Sequence, residues 1–191
     1  MPLGSRYVSV LLLALVAPSA AAHPLHGAGA GFLAGFGHPF LGLDHLLAML
    51  AVGAWAAHLG GPALWRVPLV FAVTLLIGGA AGAGGFSLPY IEPMIAASVL
   101  VLGLLVASGR RFGPLPATFL MVTFGLFHGL AHGVEWSPAL SMITYVVGFV
   151  SATAALHLAG FGAALWLKPW TRLAGAPIAL CGGWWLVQLA A

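Results

Sequence analysis

The chain has 191 residues, of which 62% are hydrophobic and only 5% are charged. This composition excludes an ordinary soluble domain and is typical of a protein embedded in a lipid bilayer. The net charge of +3 comes from six basic and three acidic residues, which excludes the extended basic surface that binds nucleic acid. The single cysteine, Cys181, excludes an internal disulfide and a zinc site made of several thiolates.

Residues 1–22 have the pattern of a cleavable secretory signal peptide. Arg6 provides a positive charge, and residues 7–16 form a short apolar segment. The alanines at 20–22 suit a cleavage site, which would leave a mature chain of residues 23–191. The alternative is an uncleaved first helix, which the shortness of the apolar segment disfavours because a span needs about 20 residues.

Six apolar segments follow, and their lengths are those of helices that cross a bilayer. The short connections between them are rich in Gly, Pro and Ser, which favour turns. We therefore predict an all-α membrane protein, with residues 23–191 forming one six-span transmembrane domain. The segments cover approximately residues 29–57, 64–81, 89–107, 115–133, 139–165 and 174–190.

The first segment is too long for one regular span, and the sequence Gly37-His38-Pro39 interrupts it. Proline lacks an amide hydrogen and disfavours helical geometry at the residue before it. We therefore predict that the first helix is broken near Gly37–Pro39 and that a full helix begins at about Phe40.

The basic residues predict the orientation of the chain. If the mature N-terminus lies outside the cell, the loops after spans one, three and five face the cytoplasm, and these loops carry every Lys and Arg of the mature chain. Both ends of the mature chain are then predicted to lie outside the cytoplasm. The residues concerned are Arg66, Arg110, Arg111, Lys168 and Arg172.

A histidine-rich stretch in the first segment runs from His38 to His45. His38, His45 and Met49 are spaced by seven and four residues, which returns to one face of a helix, and Asp44 points to a neighbouring face. A carboxylate within a membrane and without a basic neighbour needs a cation or a proton as its partner. Met49 is interpreted as a weaker ligand candidate, because methionine is more often a packing residue.

The fourth segment carries the second stretch, in which His128, His132 and Glu135 are spaced by four and three residues on one helix face. Both stretches lie toward the outer membrane face in the predicted topology, and Glu92 begins the third span near that same face. Glu92 and Glu135 are also compatible with carboxylates at the membrane interface. The isolated His58 and His157 are interpreted as packing residues.

The ligand types predict a late divalent metal ion. Imidazole with carboxylate and no thiolate suits Ni²⁺, Co²⁺ or Zn²⁺, whereas Cu(I) prefers sulfur and Mg²⁺ and Ca²⁺ prefer oxygen. After cleavage, the free amine and the imidazole of His23 could chelate one ion. With His26, this residue is predicted to form an external loading site.

Both stretches resemble the HupE/UreJ family of hydrogenase and urease accessory proteins. The matching patterns are HPxxGxDHxxxMxxVG from His38 to Gly53 and FHGxAHGxE from Phe127 to Glu135. The resemblance implies a permease of the bacterial inner membrane, with periplasmic ends, that imports nickel or cobalt and hands it to cytoplasmic maturation proteins. The metal is then a transported substrate, and no permanently bound cofactor is expected. The resemblance assigns metal binding to His38, Asp44, His45, His128, His132 and Glu135.

Three alternative functions are compatible with histidines in a membrane. The protein could bind metal as a sensor or accessory subunit without transport, or hold haem as an electron carrier. The third is an intramembrane metalloprotease, which would need the glutamate of an HExxH motif. The segment from His128 to His132 reads HGLAH, and we therefore predict that the protein is not an enzyme.

Overall fold

The computed structural model of the protein describes residues 28–167 and 170–191, all of which lie in helices or short connections, without a β-strand in that part. The predicted all-α fold is confirmed. The predicted signal peptide, the predicted loading residues His23 and His26, and Lys168 lie outside the described residues. The helices are α1 (Ala28–Leu41), α2 (Leu43–Leu59), α3 (Ala63–Ala83), α4 (Ile91–Ser108), α5 (Pro114–Glu135), α6 (Met142–Leu167) and α7 (Trp170–Ala190).

The helices have the lengths of a multi-pass membrane protein. Helices α3 to α7 contain 18 to 26 residues and are each apolar enough to cross a membrane. The shortest is about 27 Å long at a rise of 1.5 Å per residue, close to the thickness of the hydrocarbon core. Helices α1 and α2 meet the same criterion only as a pair, and they are bent by 85° at their junction. This pair is the broken first segment that the sequence predicted.

The break lies at Gly42 instead of near Gly37–Pro39, because α1 continues through the proline to Leu41. Gly42 has an extended backbone, with φ −97° and ψ 114°, and caps the N-terminus of α2. A Cβ atom at this position would lie 2.8 Å from Asp44 Oδ1 and 3.0 Å from His45 Nδ1. The glycine of the first motif therefore makes room for the acidic and imidazole side chains that follow it.

Helices α3 and α5 are held together by glycines of the second histidine-rich stretch. A Cβ atom on Gly129 would collide with the carbonyl oxygen of Leu75, and one on Gly133 would collide with that of Gly79. Close backbone approach through small residues is a common way to pack helices in membranes. These glycines fix one face of α5 against α3, so the neighbouring histidines are placed by backbone packing.

Helix α6 packs against both halves of the broken span. Gly148 of α6 lies against the backbone of α1 at Phe32, and Gly160 lies against the backbone of α2 at Leu50. The perpendicular pair is therefore supported along its length by one continuous helix. Contacts on both sides of Gly42 therefore hold the two halves of the broken span against α6.

The four arginines of the described residues gather at one end of the bundle. Arg66 and Arg111 line the same cavity, and the guanidinium group of Arg172 packs against Gly109 at the end of α4. The carbonyl oxygen of Arg110 accepts a hydrogen bond from the indole of Trp55 at 3.3 Å. The C-terminal ends of α2, α4 and α6 lie at this end of the bundle, which we call the arginine end. The second histidine motif lies at the C-terminal end of α5.

The glycine packing predicts a sharp difference between two substitutions. Gly129→Ala should lower the stability of the folded protein by about 1–3 kcal/mol, the usual cost of overpacking, because its methyl group has no space against α3. Gly162→Ala is the matched control, since nothing lies within 4 Å of a Cβ atom there. Thermal unfolding of the purified variants in detergent measures the difference. Equal midpoints for both variants would contradict this account of the α3–α5 contact.

Candidate metal site

Four imidazoles from the two motifs form a continuous row inside the bundle. The rings of His38 and His132 are 4.7 Å apart between centroids, those of His132 and His45 are 4.1 Å apart, and those of His45 and His128 are 4.7 Å apart. Helix α1 supplies the first residue, α2 supplies His45, and α5 supplies the other two. We refer to His38, His132, His45 and His128, in this order, as the histidine row.

At one end of the row, three ligand atoms lie close enough to share an ion. The ligand atoms of His38, His132 and Glu135 lie within 4.8 Å of one another. His38 Nε2 is 2.9 Å from Glu135 Oε2, and His132 Nδ1 is 3.8 Å from the same oxygen. Metal–nitrogen bonds of about 2.1 Å place tetrahedral ligands about 3.4 Å apart. These three side chains, which we call the rim site, could therefore bind one ion after small rotations.

The carboxylate of Asp44 determines which nitrogen of His45 can bind a cation. Asp44 Oδ1 lies 2.9 Å from His45 Nδ1 and 2.8 Å from the backbone nitrogen of the same residue. Because a carboxylate accepts hydrogen bonds, Nδ1 carries the hydrogen and Nε2 carries the lone pair. That Nε2 atom is buried and has no hydrogen-bond partner among the described residues. This carboxylate–histidine pairing is the arrangement that orients metal-binding histidines in proteins.

Ser98 of α4 determines which nitrogen of His128 can bind a cation. Its hydroxyl group donates a hydrogen bond to the carbonyl oxygen of Ile95 at 2.7 Å and lies 2.8 Å from His128 Nε2. A hydroxyl group has one hydrogen, so the serine oxygen accepts the hydrogen of Nε2. The lone pair is then on His128 Nδ1, which is buried and without a partner within residues 28–167 and 170–191.

Ser98 is not predictable as a functional residue from the sequence. No spacing rule connects it to the motifs, since it lies 30 positions before His128 in another helix. Its only signal in the sequence is a hydroxyl group in the middle of an otherwise apolar span. In the structure, Ser98 and His128 are both fully buried.

His132 lies between His38 and His45 in the row and makes no side-chain hydrogen bond within the described part of the chain. It is 5% exposed, and neither of its ring nitrogens has a hydrogen-bond partner there. Its ring packs against that of Phe149, with centroids 4.5 Å apart. A buried polar group without a partner costs about 1–3 kcal/mol, so a cation that accepts the lone pair of the imidazole would remove this cost.

A cavity of about 200 Å³ reaches His132 from the side where α3, α5 and α6 meet. Trp136 and Tyr145 also line it, and the other lining residues are apolar apart from glycines. The indole nitrogen and the phenol oxygen of these two residues are buried and have no partner in the described part of the chain. The cavity is therefore lined by three side chains with unused polar atoms, beside the rim site.

The two remaining predicted ligands differ in their surroundings. Met49 is fully buried in the apolar core and lies one helical turn beyond His45 on α2, whereas Glu92 is exposed in the first turn of α4. Glu92 does not belong to the cluster of His38, His132 and Glu135 that the described residues form.

The charges around the row favour a dication. The ion-pair contacts of Asp44 and Glu135 within the described residues are all with histidines. The two carboxylates contribute negative charge beside the imidazoles, and the less exposed of them, Asp44 at 28%, carries a charge that is costly to bury unless it is paired. A divalent cation would balance both carboxylates at once.

The Ser98 contact predicts that a residue outside both motifs controls metal affinity. Ser98→Ala should weaken binding of Ni²⁺ by about tenfold or more, the usual effect of removing a group that orients a ligand, because the His128 tautomer is no longer fixed. Ser108→Ala, which removes an exposed hydroxyl group at the end of the same helix, should leave affinity unchanged. Isothermal titration calorimetry of the purified variants with Ni²⁺ measures the two affinities. Equal affinities would refute the role of Ser98 in orienting His128.

Comparison with known proteins places the chain in a family. The sequence profile described as HupE / UreJ protein matches residues 11–185. The chain is 44% identical over 188 residues to Protein HupE of Rhizobium leguminosarum bv. viciae, covering 94% of this chain and 97% of that relative. No solved structure matches the chain. This multi-pass membrane protein, whose two histidine motifs meet in one row, belongs to the HupE/UreJ family.

Proposed function

We propose that the protein is a permease that imports a divalent transition-metal ion, most simply nickel or cobalt, across the bacterial inner membrane for assembly of hydrogenase or urease centres. The observation that supports this best is the continuity between the rim site and the deeper histidines. A site for structural metal would be closed, whereas this one begins at a half-exposed carboxylate and continues inward through buried imidazoles.

The side chains at the rim are more exposed than those deeper in the histidine row. The side chain of Glu135 is 57% exposed and that of His38 is 23% exposed, whereas His45 and His132 are buried and His128 is fully buried. An ion captured at the rim would exchange water for imidazole nitrogens step by step. Since neighbouring rings are 4.1 to 4.7 Å apart, the next ligand lies within reach before the previous one is released.

The membrane potential provides a driving force for import. The arginine end of the bundle would face the cytoplasm according to the positive-inside rule, and the rim site would then face the periplasm. An inside-negative potential favours the inward movement of a dication by about 4.6 kcal/mol per 100 mV, at about 2.3 kcal/mol per charge. Transport in this direction needs no second energy source.

The geometry favours a small cation over haem. A porphyrin plane held by two histidines must lie between their rings, and rings with centroids 4.1 to 4.7 Å apart leave no space for it in any of the three pairs of the row. Binding without transport is the other alternative, and flux measurements distinguish it.

Uptake measurements test the proposal directly. Cells that lack their own nickel uptake systems should accumulate nickel when they produce the native protein. Glu135→Gln should reduce accumulation by about tenfold or more, because it removes the charged ligand of the rim site, and the loss of even a group that only supports a ligand weakens metal binding by this order. Glu92→Gln, at an exposed acidic position outside the row, should transport normally at matched membrane abundance. Uptake of cobalt without uptake of nickel would change the assignment of the transported metal to cobalt. If the cells accumulate neither metal, the proposed permease function is refuted.

A further inference from the structure

Two polar side chains of α6 are buried without any partner that the described residues provide. His157 is 4% exposed and Thr153 is 1% exposed, and both His157 Nε2 and Thr153 Oγ1 lack hydrogen bonds there. They are four residues apart, so they lie one turn apart on the same face of the helix. Neither residue belongs to the two motifs.

The free hydroxyl group of Thr153 is unusual for a threonine within a helix. Such a hydroxyl group normally donates to a carbonyl oxygen of the preceding turn. Thr74 of α3 does this, with its oxygen 2.8 Å from the carbonyl oxygen of Val70. Thr153 makes no such bond within the part of the chain that the structure describes, so its hydroxyl group remains available to a ligand.

Phe71 of α3 connects His157 to the deep end of the histidine row. The ring of this fully buried residue lies 5.7 Å from that of His128 and 5.5 Å from that of His157, measured between centroids. On α6, His157 is eight residues beyond Phe149, which packs against His132. Eight residues correspond to about 12 Å along a helix, so His157 lies about two turns deeper than the rim site.

A second cavity approaches Phe71 from the arginine end. It has a volume of about 380 Å³, and Val67 and Met121 line it together with Arg66 and Arg111. Val67 lies one helical turn before Phe71 on α3. The cavity therefore comes within about one helical turn of Phe71 from the arginine end of the protein.

We propose that His157 and Thr153 form a second, transient site for the transported divalent cation, beyond Phe71 from the histidine row. An ion that leaves His128 and passes the Phe71 ring would be held by His157 Nε2 and Thr153 Oγ1 before it reaches the second cavity. The site has one imidazole and one hydroxyl oxygen and lacks a carboxylate, so it would bind the ion more weakly than the rim site and release it readily. This role for His157 goes beyond packing, and it rests on the proposed function as a permease.

Two substitutions that preserve shape test the proposal. His157→Phe keeps an aromatic ring beside Phe71 and removes the nitrogen ligand. Thr153→Val keeps the branched shape and removes the hydroxyl group. Ser151→Ala is the matched control, because it removes a hydroxyl group from an exposed position of the same helix.

The measurements are nickel uptake in cells that lack other nickel transporters, at matched membrane abundance, and Ni²⁺ binding to the purified protein. His157→Phe should reduce uptake by about tenfold or more, and Thr153→Val should reduce it by about threefold, the effect of one lost hydrogen-bonding contact. Binding of the first ion, which occupies the histidine row, should remain unchanged in both variants. The Ser151→Ala variant should match the native protein in both measurements.

If both α6 variants take up nickel as fast as the native protein, the second site is refuted, whereas the proposed permease function is unaffected. If a variant loses both nickel uptake and binding of the first ion, the second site is also refuted, because the substitution would then have affected the fold or the histidine row. If His157→Phe does not reach the membrane, Thr153→Val decides the question, and normal uptake by that variant refutes the site. A native protein that binds nickel without importing it would refute the proposed function first, and the second site with it.

Discussion

Hydrogen bonds that fix imidazole tautomers within a hydrocarbon interior are the interactions on which the site depends. A carboxylate in the middle of a membrane span costs about 2.5–3.5 kcal/mol, and Asp44 offsets part of this cost by accepting two hydrogen bonds from His45. The same bonds leave a bare nitrogen on the imidazole. Ser98 produces the same result for His128 through a neutral hydroxyl group. The protein thus prepares two buried lone pairs before any cation is present.

The backbone geometry follows from the need to bring these groups together. The break at Gly42 turns α1 almost perpendicular to α2, and this turn places His38 near the end of α5 instead of continuing along the axis of α2. The glycines of the second motif bring α5 onto α3, which presents His128 to Phe71. The glycines of both motifs therefore position the ligands, while the histidines and acids provide the chemistry. A family motif that combines Gly with His has this physical explanation in the present structure.

The fold could be predicted from the sequence to a large extent, since apolar length alone identifies spans. Helical spacing also placed His128, His132 and Glu135 on one face, because residues within one helix obey a known period. The contact between His38 and Glu135 spans 97 positions, and only the shared membrane depth of the motifs indicated it. Ser98, Phe71 and Thr153 could not be assigned from the sequence, because their importance arises from contacts between different helices. The exact break was also missed, since proline signals a helix end only weakly when it lies in the last turn.

X-ray absorption spectroscopy of the purified protein with one bound Ni²⁺ tests the central claim most directly. We predict that nitrogen and oxygen atoms coordinate the ion, with the multiple scattering that at least two imidazoles produce, and that one imidazole is lost in His132→Ala. A shell containing sulfur, which would come from a residue such as Met49, would contradict it. So would a shell of oxygen atoms alone, because the histidine row would then take no part in binding the ion.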